Sequence, residues 1–237
     1  MRAPAFSRVH ASSRARLMHL RSNVHWCDCE GRAVFLDLEA DRYFCLSKSA
    51  NDAFLRLARG RMEPGDGERL ESMIARGVLL DTSADSTIDR PAALERPTCD
   101  YPCGSAGEAG VLHLVETLAA ELRAVSLLRR KPLRDVLAIA ANRATGIAIP
   151  EDDRDRMLRT IIASSNAISL VTRRHNRCLA RALAVHSLCR KRGIGPKLVL
   201  GVTGHPFAAH CWVQLGTAVL VGGFEHVRLY SPILVVE

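Results

Sequence analysis

The sequence predicts an α+β protein built in two parts. Short alternating runs broken by turn residues fill the stretch from Val24 to Leu46. Helical periods dominate from Val111 to Arg192, and strands return only after them. Runs of helices kept apart from runs of strands belong to α+β rather than alternating α/β architecture. Between the two parts, Asp81 to Gly110 is rich in Ser, Thr, Pro, Gly and Asp and has no sustained apolar period, the composition of a linker. The chain is therefore read as a disordered tail at residues 1–22, a first domain at 23–81, a linker at 82–110 and a second domain at 111–237.

The first domain opens with a meander. Gly31-Arg32 separates Val24 to Cys29 from Ala33 to Leu38, and Ala40-Asp41 separates that run from Arg42 to Leu46. Ser47 or Ser49 caps a helix through Arg59, with Ala50, Ala53, Phe54, Leu57 and Ala58 on one face. A second helix from about Gly67 to Arg76 carries Leu70, Met73 and Ile74 until Gly77 stops it. Val78 to Leu80 reads as a short closing strand. A three-stranded meander followed by helices describes a small winged-helix-like module.

The second domain starts helical. Val111, Leu114, Val115, Leu118, Leu122 and Val125 recur at a helix period, and Pro132 opens another helix through Ala140. An acidic turn at Glu151 to Asp155 precedes a helix from Met157 to Leu170, and a further helix runs from Cys178 to Arg192 and ends at Gly193. Leu198 to Val202, Ala209 to Leu215 and Ala218 to Val221 read as strands, the last two joined by a tight turn at Gly216-Thr217.

Composition narrows the function. The chain has 237 residues, 48% hydrophobic and 24% charged, which is globular usage, and no apolar run approaches the ~20 residues of a membrane span. Arg2, Arg8, Arg14, Arg16 and Arg21 precede the first acid, Asp28. That stretch is read as a disordered leader, or as upstream sequence to a start at Met18, and it lacks the apolar core of a secretory signal. Residues 1–103 hold 15 basic and 15 acidic side chains and residues 104–237 hold 18 and 10, so the net charge of +8 belongs to the second half. Arg173, Arg174, Arg177, Arg181, Arg190, Lys191 and Arg192 lack the interleaved aromatics of a nucleic-acid surface and read as a solvated helix face. Eight cysteines at irregular spacing, without an export signal, indicate reduced thiols and a cytoplasmic protein. Cys27-x-Cys29 and Cys99-x3-Cys103 together hold enough thiols for zinc, but the first pair is too tight for a usual knuckle, and no metal is expected.

Within this frame Cys178 and His210 carry the chemistry. A thiol at a helix N-terminus lies beside unpaired backbone N–H groups and the positive end of the macrodipole, both of which favour thiolate. An imidazole on a neighbouring strand, within Ala208 to Val213, is placed to accept its proton. Cys211 alternates to the opposite strand face, and Cys189 lies about three turns along the Cys178 helix; both read as packing. So does His186, while His175 and His205 fall in loops near the expected cleft. The bland alternative is a buried structural Cys with a satisfied His.

Two resemblances sharpen the reading. Val34 to Ser47, followed by the Ala50 to Leu57 helix, resembles the peptide-recognition element of ribosomally made natural-product pathways, similar to the small pyrroloquinoline-quinone chaperone. The resemblance implies that a precursor's leader adds as a strand along Arg42, Tyr43, Phe44, Cys45 and Leu46, in a groove closed by a helix presenting Arg69, Met73 and Arg76. Cys178 to Ala184, Arg192-Gly193-Ile194, Leu198 to Val202 and Pro206 to Val213 resemble the transglutaminase-like (papain-like) cysteine protease fold. More narrowly, they are similar to the leader peptidase of lasso-peptide biosynthesis, in the fused form that carries recognition element and protease in one chain. The resemblance implies a cofactor-free cysteine protease that cleaves the leader from its core peptide. Its partners would be the ribosomally made precursor and an asparagine-synthetase-like lasso cyclase, with neither nucleic acid nor membrane; whether ATP is required is not legible. A non-catalytic leader-binding adaptor and a thiol acyltransferase of the same fold are the rival readings.

One residue departs from that family. An Asp is expected about a dozen residues after the His, and this chain has Gly222 there. Among acids, Glu225 lies nearest in sequence and is the candidate orienter, with Glu237, an acid before Arg156, the amides Gln214 and Asn176, or a backbone carbonyl as alternatives.

Overall fold

The computed structural model describes residues 17–82, 88, 93–103, 110–142, 150–171 and 177–237. Its first strands are β1 (Leu17–Leu20), β2 (Val24–Cys29), β3 (Arg32–Asp37) and β4 (Arg42–Cys45). The last three form the expected antiparallel meander. The β2–β3 loop is Glu30-Gly31 rather than Gly31-Arg32. Both residues have positive φ (54° and 84°), as a tight two-residue hairpin whose twist matches the strands requires. Among the described residues β4 pairs only with β3, so its outer edge is open.

Two helices follow, α1 (Lys48–Ala58) and α2 (Asp66–Ala75), and then β5 (Leu79–Thr82). The expected closing strand pairs with β1 and not with the meander, so residues 17–20 of the expected tail belong to the fold. Asp66, with no exposed side-chain surface, locks α1 to α2. It accepts from Arg56 Nη2 at 2.5 Å, Arg69 Nη1 at 2.8 Å and the Glu63 N–H at 2.9 Å. The Arg56 guanidinium, foremost, holds this carboxyl well below the usual carboxylate range.

The second part comprises β6 (Cys99–Asp100), α3 (Val111–Arg130), α4 (Leu133–Ala141), α5 (Glu151–Val171), α6 (Cys178–Lys191), β7 (Lys197–Thr203), β8 (Ala208–Leu215), β9 (Ala218–Val221), α7 (Phe224–Val227) and β10 (Ser231–Val236). The sheet order is β10-β7-β8-β9-β6, antiparallel except for the β9–β6 pair. Glu151 to Asp155, expected as a turn, form the start of α5. Part of the expected linker is structural. Beyond β6 itself, Glu95 O accepts from Gln214 Nε2 at 2.7 Å, and Asp100 Oδ1 accepts the Phe224 N–H at 2.7 Å. Polar composition marked these residues as loop, yet an edge strand and its side-chain anchors need little apolar surface.

The meander is sandwiched. Trp26, Ala33 and Phe35 face α1 and α2, where Phe54 packs 5.0 Å from Trp26 and 4.8 Å from Phe35 between ring centroids. The alternate residues Cys27, Cys29, Val34 and Leu36 enter one continuous core with Ala182, Val185, Leu198, Val202 and Ile233. The two parts therefore share a core, where the sequence predicts two domains with separate ones. At the junction a Cβ on Gly204 would stand 3.0 Å from Cys29 Cβ, so the β7–β8 loop lies against β2. Among the described residues no helix is long and apolar enough to cross a membrane.

Candidate active site

Cys178 is the first residue of α6. Just before it, Arg177 pairs with the buried Glu121 of α3 at 3.3 Å, which fixes the start of the helix. The Cys178 N–H thus lies in the first turn, where backbone donors have no intrahelical acceptor. Its half-buried side chain packs on the shared core, as do Tyr43, Cys45 and Cys211. Burial pushes the Cys211 thiol well up, with a smaller contribution from Cys178, and pushes Cys189 up to about 12; both are inert packing thiols.

His210 sits on β8 opposite Gly201 of β7. Its ring does not follow Cys211 toward α6. It packs edge-on against His226 of α7, centroids 4.6 Å apart, and tilted against Tyr230 at 5.3 Å. Nε2 is buried beside Gly222, too poorly aligned for a hydrogen bond of ordinary geometry, and no hydrogen bond joins His210 to Cys178 among the described residues. Burial lowers the His210 pKa and His226 lowers it further, while the Gly222 backbone opposes both. The candidate nucleophile and candidate base are therefore placed at neighbouring positions, Cys178 beside residue 211 and the imidazole on residue 210, without the contact that would transfer a proton. Such contacts are commonly long in ligand-free enzymes and tighten with substrate.

The candidate orienters are directed elsewhere. Glu225 is corrected: its side chain is 77% exposed and pairs with Arg228 at 2.9 Å, pointing to solvent from the short α7. Glu237 pairs with Lys197 at 2.9 Å. Gln214 is buried, but its amide donates to the carbonyls of Glu95 and Gly216 and accepts from Trp212 Nε1 at 3.2 Å, so it holds the tryptophan and the strand end instead of the imidazole. Asn176 and His175 lie outside the described residues. His186 is buried on α6, and His205 precedes a cis proline.

The expected docking residues divide by strand face. Arg42 lies over the Phe44 ring at 5.9 Å; Phe44 stacks on Phe35 at 4.9 Å, and Leu46 packs on the same core. Tyr43 and Cys45 turn the other way, toward Cys178. Tyr43 packs against Phe207 of the β7–β8 loop at 5.4 Å, and burial, helped by Cys211, Asp41 and Cys178, pushes its hydroxyl up to about 12, so it stays a donor at neutral pH. On α2, Met73 is corrected. It is 2% exposed in the first core and presents nothing to a groove. Arg69 is engaged by Asp66, while Arg76 ends the helix exposed. Among the described residues no cluster of metal-ligating side chains forms.

The residues missed by sequence reasoning are His226 and Tyr230, whose four-residue spacing follows a Gly-Gly turn without any motif to mark it. No curated protein and no solved structure matches the chain. A protein-family model, that of the transglutaminase-like superfamily, matches residues 118–235, a range that takes in the Cys178 helix, the His210 strand and the sheet around them. The second part of this chain is a transglutaminase-like domain.

Proposed function

We propose that the chain is a leader peptidase of lasso-peptide maturation, which binds a precursor along β4 and hydrolyses its leader–core bond with Cys178 and His210. The observation that carries this reading is the shared core: it seats the open strand edge and the helix-borne thiol on one framework, with Tyr43 reaching from the first to the second. A leader held on that edge raises the local concentration of the scissile bond at the sulfur.

In this mechanism His210 takes the Cys178 proton and the thiolate attacks the scissile carbonyl carbon. The Cys178 N–H supports the resulting oxyanion. On collapse the C–N bond breaks and the amine leaves with the proton from His210. Water, deprotonated by His210, then attacks the thioester, the C–S bond breaks, and the leader departs as a free acid. The core keeps the new amine, which an asparagine-synthetase-like cyclase would join to an acidic side chain.

The absent Cys178–His210 hydrogen bond and, among the described residues, the lack of an acidic orienter favour a second reading, a leader-binding adaptor without catalysis. Incubation with a lasso precursor peptide, read by product masses, tests both. Separate leader and core masses, abolished by Cys178→Ala with leader binding intact, support hydrolysis. Loss of ammonia points to acyl transfer, and binding without change to the adaptor.

A further inference from the structure

Where a related enzyme would orient its histidine with a carboxylate, this chain leaves no room for one. Gly222 has φ +125°, and a Cβ there would stand 2.6 Å from Trp212 Cβ, 3.0 Å from Val227 Cγ1 and 3.5 Å from His210 Nε2. No Asp or Glu occurs between Arg156 and Phe224. Two rings occupy the flank instead. His226 and Tyr230 lie 5.2 Å apart, and Tyr230 Oη is 3.3 Å from His226 Nε2, so each fixes the other while both touch His210. The backbone is shaped to admit them: a Cβ on Gly201 would come within 2.5 Å of the Trp212 ring and 3.1 Å of Tyr230 Cβ. Val227, 1% exposed, anchors α7 between them.

We infer that His226 and Tyr230, together with the Gly222 backbone, are the positioning groups of His210, holding its Nε2–H inward and leaving Nδ1 as the nitrogen that takes the thiol proton. An orienter must fix the tautomer and direction of the imidazole and stabilise the imidazolium that forms. The Gly222 backbone, which lies beside Nε2 and favours a proton on the ring, sets the first. The Tyr230 face, 5.3 Å from the His210 centroid, serves the second, because a cation within about 6 Å of an aromatic centroid is attracted to the ring. The His226 ring, 4.6 Å away, acts in the opposite sense and lowers the His210 pKa, because positive charge on two rings so close is repulsive. The titratable or charged groups on the surrounding elements are His226, Tyr230 and the outward Glu225–Arg228 pair on the α7 side, and Cys178, Cys211 and Tyr43 on the α6 and β4 side.

The inference rests on the proteolytic reading for its purpose but not for its test. Long-range nitrogen–proton spectra of the full chain, titrated from acid to neutral pH, report the His210 tautomer and midpoint directly. The wild type is expected to show a single neutral tautomer protonated at Nε2. His226→Gln should raise the midpoint by removing a like charge. Tyr230→Leu should mix the tautomers, and Tyr230→Phe, which keeps the ring, should restore one. Should Tyr230→Leu not fold, His226→Gln and Tyr230→Phe decide the matter. An unchanged His210 midpoint in folded His226→Gln, or a wild type already mixed between tautomers, overturns the inference. With a cleavable precursor, Tyr230→Leu is expected to lower kcat about tenfold or more at unchanged KM. A wild type with the expected spectra that cleaves nothing would sink the peptidase reading and leave the positioning intact.

Discussion

A sulfur at the first position of a helix and an imidazole on the adjoining strand are useful only if the ring points where the thiol can reach it. At this scale Gly222 is the residue under most constraint. Gly222→Ala would add a clash with Trp212 to an unfavourable φ, and about 3 kcal/mol of destabilisation is expected in a denaturant titration. Glu225→Gln is expected to leave turnover near normal, because the carboxylate serves only the surface pair with Arg228. The direction of the His210 shift sets the pH response. A depressed pKa keeps the ring neutral, and so able to act as a base, at pH values below its ordinary 6.5. The acid limb of kcat/KM should therefore fall on the acid side of that value. The placement of Cys178 at a helix start and of His210 on a strand was legible, since both are written locally. Their missing contact was not, because it depends on how a ring leaves β8 and on His226 and Tyr230, which approach from a four-residue helix.

Among the elements, α6 gives the site its firmest support. Glu121 is 3% exposed and holds Arg177 at the very start of the helix. Removing its carboxylate with Glu121→Ala leaves a half-buried guanidinium unpaired, and about 3 kcal/mol of lost stability is expected, read by urea unfolding. Sequence periodicity located α1, α3, α4 and the strands β7 to β9 within a few residues, because each has a face that must meet a core. It failed where that rule is silent. β6 lies in a polar, proline-containing stretch, β1 is hidden in a basic leader, and β10 contains Pro232 and continues as an apolar run without alternation. Met73 went wrong for a related reason: a helix period shows which residues share a face but not whether that face meets a ligand or the interior.

For the whole molecule, the shared core is the property that pattern reading could not reach. Both faces of the meander are apolar, and a sequence shows this as alternation between two equally buried sets without saying what covers the second. Cys27, Cys29, Val34 and Leu36 close against the transglutaminase-like domain, so the chain is expected to resist division. Residues 17–82 expressed alone should bind a hydrophobic dye and unfold at lower denaturant than the same strands in the full chain. A separately stable first part with native-like unfolding would contradict the common core.

The most direct test of thiol hydrolysis is to treat a lasso precursor peptide with this protein in oxygen-18 water and weigh any released leader. The account predicts one heavy oxygen in the new carboxylate, present with the wild type and absent with Cys178→Ala. A precursor that stays whole, or a leader released by Cys178→Ala as fast as by the wild type, would contradict it.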